Sequence, residues 1–246
     1  FMHISHKQIL IVIPARYKSS RFRGKPLAKI NGIEMIRRTY ERCVLSGHPK
    51  ENIVIATDSN KILKYCKNNN LKVFLTSSNC LTGTDRVAEV ANKTHYNFYI
   101  NLQGDEPIFN PKDINKVIDA IKKYPKNIIN GYTEIKEKKL FLNRNIPKVI
   151  VSKRNELIYM SRVPIPTKGF RNKNKVHRQI CIYAYSRQNL LKFIQKKKSP
   201  IEKMEDIEIL RFLDIGISVK MIKLSDKSIS VDVPEDINKV EKALSK

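Results

Sequence analysis

Four cationic side chains crowd one short stretch of this chain: Arg16, Arg21, Arg23 and Lys25 follow directly on an apolar run at residues 9–13. Ser19, Ser20 and Gly24 add hydroxyls and room for close backbone approach. A basic, glycine-containing connection after a strand is suited to gripping a polyphosphate. The spacing is neither Gly-x-x-x-x-Gly-Lys-Ser/Thr nor the dinucleotide Gly-x-Gly-x-x-Gly pattern. Two carboxylates, Asp105 in the stretch 101–107 and Asp232 in the stretch 230–236, also follow apolar runs. Two carboxylates beside a triphosphate are how proteins commonly hold magnesium, a hard cation that takes few protein ligands and several phosphate oxygens. Asp232 also fits a helix N-cap, because Pro234 and Glu235 follow it. A third connection, 81–87, carries Thr84 and Arg86 and reads as a strand-to-helix loop, either offering backbone N–H groups to a base or an anion or simply capped by Thr84.

The elements that must position these residues alternate. Strands are predicted over 9–13, 52–57, 72–77 and 98–104, and helices over 33–46, 59–70, 84–93 and 111–124. Four strand-helix repeats predict an α/β fold with a doubly wound, mostly parallel sheet, whose ligands sit at the carboxyl ends of the strands. Past residue 127 the chain becomes strand-rich, with strands expected at 127–135, 147–153, 156–162 and 177–186, and a proline-rich, charged loop or arm at 164–175. A capping box at Ser199 and Glu202 opens a helix expected to reach Leu213. Short strands at 219–224 and 228–231 and a helix at 234–244 close the chain. The expected division is a nucleotide-binding part at 1–126 and an acceptor and dimerisation part at 127–246 that returns to the core near 219–246. Residues 1–8 read as a short extension with no assignable role.

Composition narrows the class. The 246 residues are 41% hydrophobic and 29% charged, as expected of a globular protein that buries a substantial core. No apolar stretch approaches the roughly 20 residues of a membrane span, and the opening residues lack the signal-peptide pattern, so a cytoplasmic protein is expected. Cys43, Cys66, Cys80 and Cys181 are scattered and read as reduced. The net charge of +25 invites a nucleic-acid reading. The 34 lysines, however, are spread along every helical segment, there is no Trp, and no nucleic-acid module is present, so neither a nucleic-acid partner nor membrane insertion is expected.

Five segments together resemble one family. Pro14-Ala-Arg-Tyr-x-Ser-x-Arg-x-x-Gly-Lys-Pro-Leu27, Thr82-Gly-Thr-Asp-Arg86, Asn101-x-Gln-Gly-Asp-Glu-Pro107, Met160-Ser-Arg-x-x-Ile-Pro166 and Val231-Asp-x-Pro-Glu-Asp236 are similar, in order, to the motifs of 3-deoxy-manno-octulosonate (Kdo) cytidylyltransferases. The resemblance spans nearly the whole chain. It implies a nucleotide-diphospho-sugar transferase type of fold and a magnesium-dependent transfer of CMP from CTP to the anomeric hydroxyl of an acidic sugar, with release of pyrophosphate. Arg16, Lys25, Asp105 and Asp232 match catalytic positions, the two aspartates as magnesium ligands. Ala15, Arg16, Ser20, Lys25, Thr84, Arg86 and Gln103 match nucleotide-binding positions, and Arg162, Gln179, Tyr183 and Glu208 match acceptor-binding ones. The resemblance also implies a homodimer. Two departures lie on the acceptor side, where the family offers His and Gln and this chain has Gln179 and Ile209. They imply a retuned acceptor pocket, for Kdo or for another anion such as an amino-Kdo, a nonulosonic acid, a phosphonate or a phosphate ester.

Overall fold

The computed structural model describes residues 4–19, 21–170 and 175–245. The strands are β1 (Ile9–Ala15), β2 (Lys29–Ile30), β3 (Ile33–Glu34), β4 (Ile53–Thr57), β5 (Val73–Leu75), β6 (Phe98–Leu102), β7 (Ile128–Glu134), β8 (Lys148–Val151), β9 (Leu157–Ser161), β10 (His177–Ser186) and β11 (Val219–Lys223). The α-helices are α1 (Met35–Leu45), α2 (Asn60–Asn68), α3 (Gly83–Lys93), α4 (Pro111–Lys123), α5 (Lys138–Leu142), α6 (Arg187–Ile194), α7 (Pro200–Glu205), α8 (Leu210–Asp214) and α9 (Asp236–Leu244). The four predicted strand-helix repeats are all present.

The main sheet runs β11-β7-β10-β6-β1-β4-β5, with β8 joined to β10 and β9 joined to β8. β1 pairs in parallel with both β4 and β6, and β4 with β5. The chain steps outward from β1 to β4 and β5, then returns to the other side of β1 for β6. That reversal opens a crevice beyond the carboxyl ends of β1 and β6, where Arg16 and Asp105 follow. β1 is buried along its whole length because helices cover both faces. Ile9, Ile11 and Ile13 pack with residues of α1, α2 and α4, and Leu10 and Val12 pack with residues of α3 and α6. β10 inserts antiparallel between β6 and β7, so the strand-rich second half shares one sheet with the first.

Three expectations are corrected. Residues 228–231 join no strand. They run extended past β11, and the Val231 N–H donates to the Asp105 carbonyl at 3.0 Å. The helix expected to reach Leu213 breaks into α7 and α8 at Asp206, which adopts a left-handed φ of 52°. The break has a cause: Glu205 accepts from Tyr159 Oη, Ser161 Oγ and the Arg162 N–H, while the Arg162 guanidinium takes the carbonyls of Glu205 and Asp206. Those bonds fix the end of β9 to the end of α7. Residues 4–8, read as a bare extension, are docked: Ile4 lies in the core and Ser5 and Gln8 close a capping box. Of the expected arm, residues 171–174 fall outside the description, and its near end is pinned by Phe170, whose ring lies 5.6 Å from that of Phe141.

The N-terminal docking depends on a histidine pair. His48 is 2% exposed, and its Nε2 lies 3.1 Å from the Ile9 carbonyl, which can only accept. Nδ1 of His48 is therefore the lone-pair nitrogen, and it accepts from Nδ1–H of His6 at 3.0 Å. A proton on both rings would set two N–H groups head to head. Burial, with a smaller contribution from His6, pushes the His48 value down to about 4. The unfolded chain titrates it near 6.5, so between these values the unfolded state holds a proton that the folded state refuses. The contribution is full above about pH 6.5 and is lost as pH falls toward 4, by about 2 kcal/mol at pH 5. Urea unfolding at pH 7.5 and pH 5 should show this loss in wild type and a flattened pH dependence in His48→Gln. Equal loss in both proteins would remove His48 as its source.

Candidate active site

β1 ends at Ala15, and the basic connection after it turns back on itself: the Gly24 N–H donates to the Tyr17 carbonyl at 2.8 Å. Gly24 has φ of 75°, a left-handed conformation that favours glycine, and it aims Lys25 inward. Lys25 Nζ donates to Asp105 Oδ2 at 2.7 Å and to the Val231 carbonyl at 2.8 Å. A second cation does the same for the other carboxylate, as Arg21 Nη2 meets Asp232 Oδ1 at 3.0 Å. Gly104 allows the close approach that makes this possible, since a Cβ there would stand 2.9 Å from the Pro14 carbonyl oxygen. The two acidic motifs, far apart in sequence, thus meet at the mouth of β1 and β6.

These residues line a cleft of about 170 Å³. Ala15, Arg16, Lys25, Arg86, Gln103, Asp105 and Asp232, all expected at the nucleotide and metal positions, border it together. Arg16 donates to the Leu81 carbonyl at 3.4 Å, which links the first loop to the third. Ser20 lies outside the described residues. Arg86 backs the cleft with no exposed surface. One of its Nη atoms bonds Thr76 Oγ1, and Nη2 approaches Asp58 at 3.5 Å, yet Nε and Nη2 have no hydrogen-bond acceptor. Asn101 Nδ2, on the neighbouring strand, is a third buried donor without a partner. Buried donors are rarely left unpaired.

Thr84 is not free in the way the sequence suggests. Its N–H donates to Glu208 Oε2 at 3.1 Å, and its hydroxyl lies 3.0 Å from Tyr185 Oη. The four expected acceptor residues do not border the cleft. Arg162 spends its guanidinium on main-chain carbonyls, as described above. Gln179 is buried, its Nε2 donating to Asn130 Oδ1 at 3.0 Å and Tyr183 Oη at 3.1 Å, and Tyr183 is buried with it. Glu208 is committed to the Thr84 N–H, and burial raises its carboxyl above the usual range. Ile209 has no exposed surface and belongs to the apolar cluster with Tyr185, Leu210 and Phe212, so this departure faces the core and not a sugar. The turn between the two short helices puts it there.

Sequence reasoning named Arg21 among the loop cations but missed its pairing with Asp232, visible only once residues 21 and 232 are brought together, and it missed one participant outright. Glu106, 4% exposed, sits behind Asp105 and accepts from Ser228 Oγ. Burial, then the charge of Asp105, raises it to about 7. The paired acidic residues at 105 and 106 were the available signal.

The comparisons with known proteins agree with this geometry. The family described as cytidylyltransferase matches residues 10–225. The 3-deoxy-manno-octulosonate cytidylyltransferase of Protochlamydia amoebophila is 36% identical over 97% of this chain and 95% of its own. That of Thermodesulfovibrio yellowstonii is 36% identical over 96% and 98%. Among solved structures, CMP:2-keto-3-deoxy-manno-octonic acid synthetase complexed with CTP superposes with a TM-score of 0.89 at 32% identity, covering 96% of this chain and 98% of that one. At 12% identity and a TM-score of 0.64, 4-diphosphocytidyl-2C-methyl-D-erythritol synthase from Anaerococcus prevotii shares the fold. The chain belongs to the cytidylyltransferase family, in the group of the 3-deoxy-manno-octulosonate cytidylyltransferases.

Proposed function

We propose that the protein transfers CMP from CTP to the anomeric hydroxyl of 3-deoxy-manno-octulosonate and releases pyrophosphate, with magnesium held by Asp105 and Asp232. The observation that carries the site assignment is the doubled ion pair, Lys25 with Asp105 and Arg21 with Asp232, at the edge of one cleft. Each carboxylate faces a cation of the phosphate loop, so anionic and cationic groups alternate where a metal-bound polyphosphate must lie. Two carboxylate oxygens fit a hard cation that completes its shell with phosphate oxygens and water. When bound, the ion would neutralise charge building on the phosphates.

The remaining work is positioning and charge complementarity, which is most of what nucleotidyl transfer asks of a protein. Lys25 and Arg21 reach phosphate oxygens by exchanging one anionic partner for another. Arg16 closes the cleft toward the third loop. Arg86 lines the cleft with Gln103 and holds donors without a hydrogen-bond acceptor, suited to the acceptor edge of a pyrimidine. A homodimer is supported by Ile158, Val163 and Met204, strongly exposed apolar residues on or near β9 and α7. No helix among the described residues is long and apolar enough to cross a membrane.

The direct test is pyrophosphate release from CTP, magnesium and Kdo. Asp105→Ala and Asp232→Ala should each lower kcat by about two orders of magnitude or more, the scale of losing one preorganised electrostatic element. Lys25→Ala should raise the Kd for CTP. Near-wild-type magnesium-dependent turnover in either aspartate variant, at equal stability, would end the metal assignment.

The acceptor side yields a separate expectation. Ile209→Gln places an amide in an apolar cluster and should destabilise the fold by about 1–3 kcal/mol, the range for an unpaired buried polar group. The ratio of kcat/KM on Kdo to that on 8-amino-Kdo should not move. A stable variant with changed acceptor preference would show instead that residue 209 meets the sugar.

A further inference from the structure

A second cavity lies apart from the cleft that holds the motifs. It has a volume of about 550 Å³ beside the segments that follow Asp105 and precede Asp232, within the range of small-molecule sites. Arg42 of α1, Lys227, and Lys239 and Lys242 of α9 contribute its cations, Asn110 adds an amide, and no carboxylate lines it. Lysine is abundant over the whole surface, so cations alone decide little. Two further observations do. Arg42, Lys227 and Lys242 have no hydrogen-bond or ion-pair partner among the described residues, although carboxylates elsewhere draw lysines into pairs. The walls between these cations are apolar, formed by Ile108, Phe109 and Ile229. Unpaired cations around an apolar wall open to solvent match a ligand with concentrated negative charge and a flat or apolar body.

We propose that this cavity binds a soluble phosphate ester of nucleotide size. A membrane headgroup is the poorer match, because none of the strongly exposed large apolar residues lines the cavity, and an interfacial surface needs them. The site is wired to the catalytic loops. Lys239 donates to Asp236 Oδ1 at 2.6 Å, and the other oxygen of Asp236 accepts the N–H groups of Asp232 and Val233. An anion that draws Lys239 away acts on the residue that sets the backbone of Asp232.

Calorimetric titration of ATP into wild type, Lys25→Ala and Arg42→Gln/Lys242→Gln separates this site from the cleft. Binding should persist in Lys25→Ala and weaken tenfold or more in the double variant, whose thermal midpoint should match wild type. Lys227→Gln, on an exposed residue, gives the same direction should the double variant fold poorly. ATP binding that disappears with Lys25→Ala and ignores Arg42, Lys227 and Lys242 would overturn the proposal, as would no binding to wild type. Inorganic pyrophosphate should bind more weakly than ATP, and equal affinity would refute a role for the apolar wall. Sedimentation with phosphatidylglycerol vesicles that depends on Arg42 and Lys242, without ATP binding, would replace the soluble ligand with a membrane.

Discussion

The site depends on one ammonium group. Lys25 reaches the Asp105 carboxylate and the Val231 carbonyl at once, and the Val231 N–H closes the triangle on the Asp105 carbonyl. Segments that lie 80 and 206 residues beyond Lys25 are thereby fixed around one point. Everything needed for this sits nearby in sequence: Gly24 turns the chain, Pro26 stiffens the turn after Lys25, and Gly104 lets the β6 loop approach β1. Val231 is fully buried with Ile30, Met35 and Val240, so the strand-like segment before Asp232 is held by packing although no sheet partner holds it. A lysine that is only 14% exposed would be poorly placed without an anionic partner. The same feature makes it ready for phosphate, because the charge has already been brought out of bulk water.

A second set of ion pairs holds the loop that carries Arg86. Arg211, 2% exposed, makes a bidentate pair with Glu202 at 2.6 and 2.7 Å and reaches Asp85 at 3.3 Å. Asp85 is the third residue of α3 and closes a capping box with Thr82. Buried pairs of this kind add little net stability over an apolar replacement, but losing one partner strands a charge at a cost of about 3–5 kcal/mol. Their value lies in fixing geometry. The break between α7 and α8 follows from the same arrangement, since Arg162 and Glu205 hold α7 to β9 while Arg211 draws α8 toward α3.

The alternation of strands and helices was legible in residues 9–124 because apolar periodicity and caps such as Asn110 with Pro111 act locally. The cleft was legible for a different reason: Arg16, Gln103 and Asp105 follow strand ends, and a parallel sheet brings strand ends together. The acceptor half was not. Residues 199–213 carry a good helical start, and only long-range bonds from Arg162, Tyr159 and Ser161 explain why the helix stops at Asp206. Ile209 looked like a change in a binding site because sequence places it beside Glu208, whereas the turn sends adjacent side chains in opposite directions. Likewise the N–H of Thr84 reads as an open loop donor until Glu208, 124 residues away, is seen to accept from it. Arg21 and Arg86 show the same limit: their partners, Asp232 and Thr76, are set by tertiary contact.

The bond between Glu208 and Thr84 also ties the second half of the chain to the first. It joins the turn before α8 to the first turn of α3, whose next-but-one residue is Arg86 at the back of the nucleotide cleft. On its other side Thr84 meets Tyr185 of β10, and Tyr185 stacks with Tyr183, which accepts from Gln179. Stacking and hydrogen bonds therefore join Gln179, Tyr183 and Tyr185 of β10 to the loop that carries Arg86 as one packed body. Its members are buried, and interiors are too closely packed for one to shift alone. A change at Gln179 or Tyr183 is transmitted to Thr84 and so to the placement of Arg86.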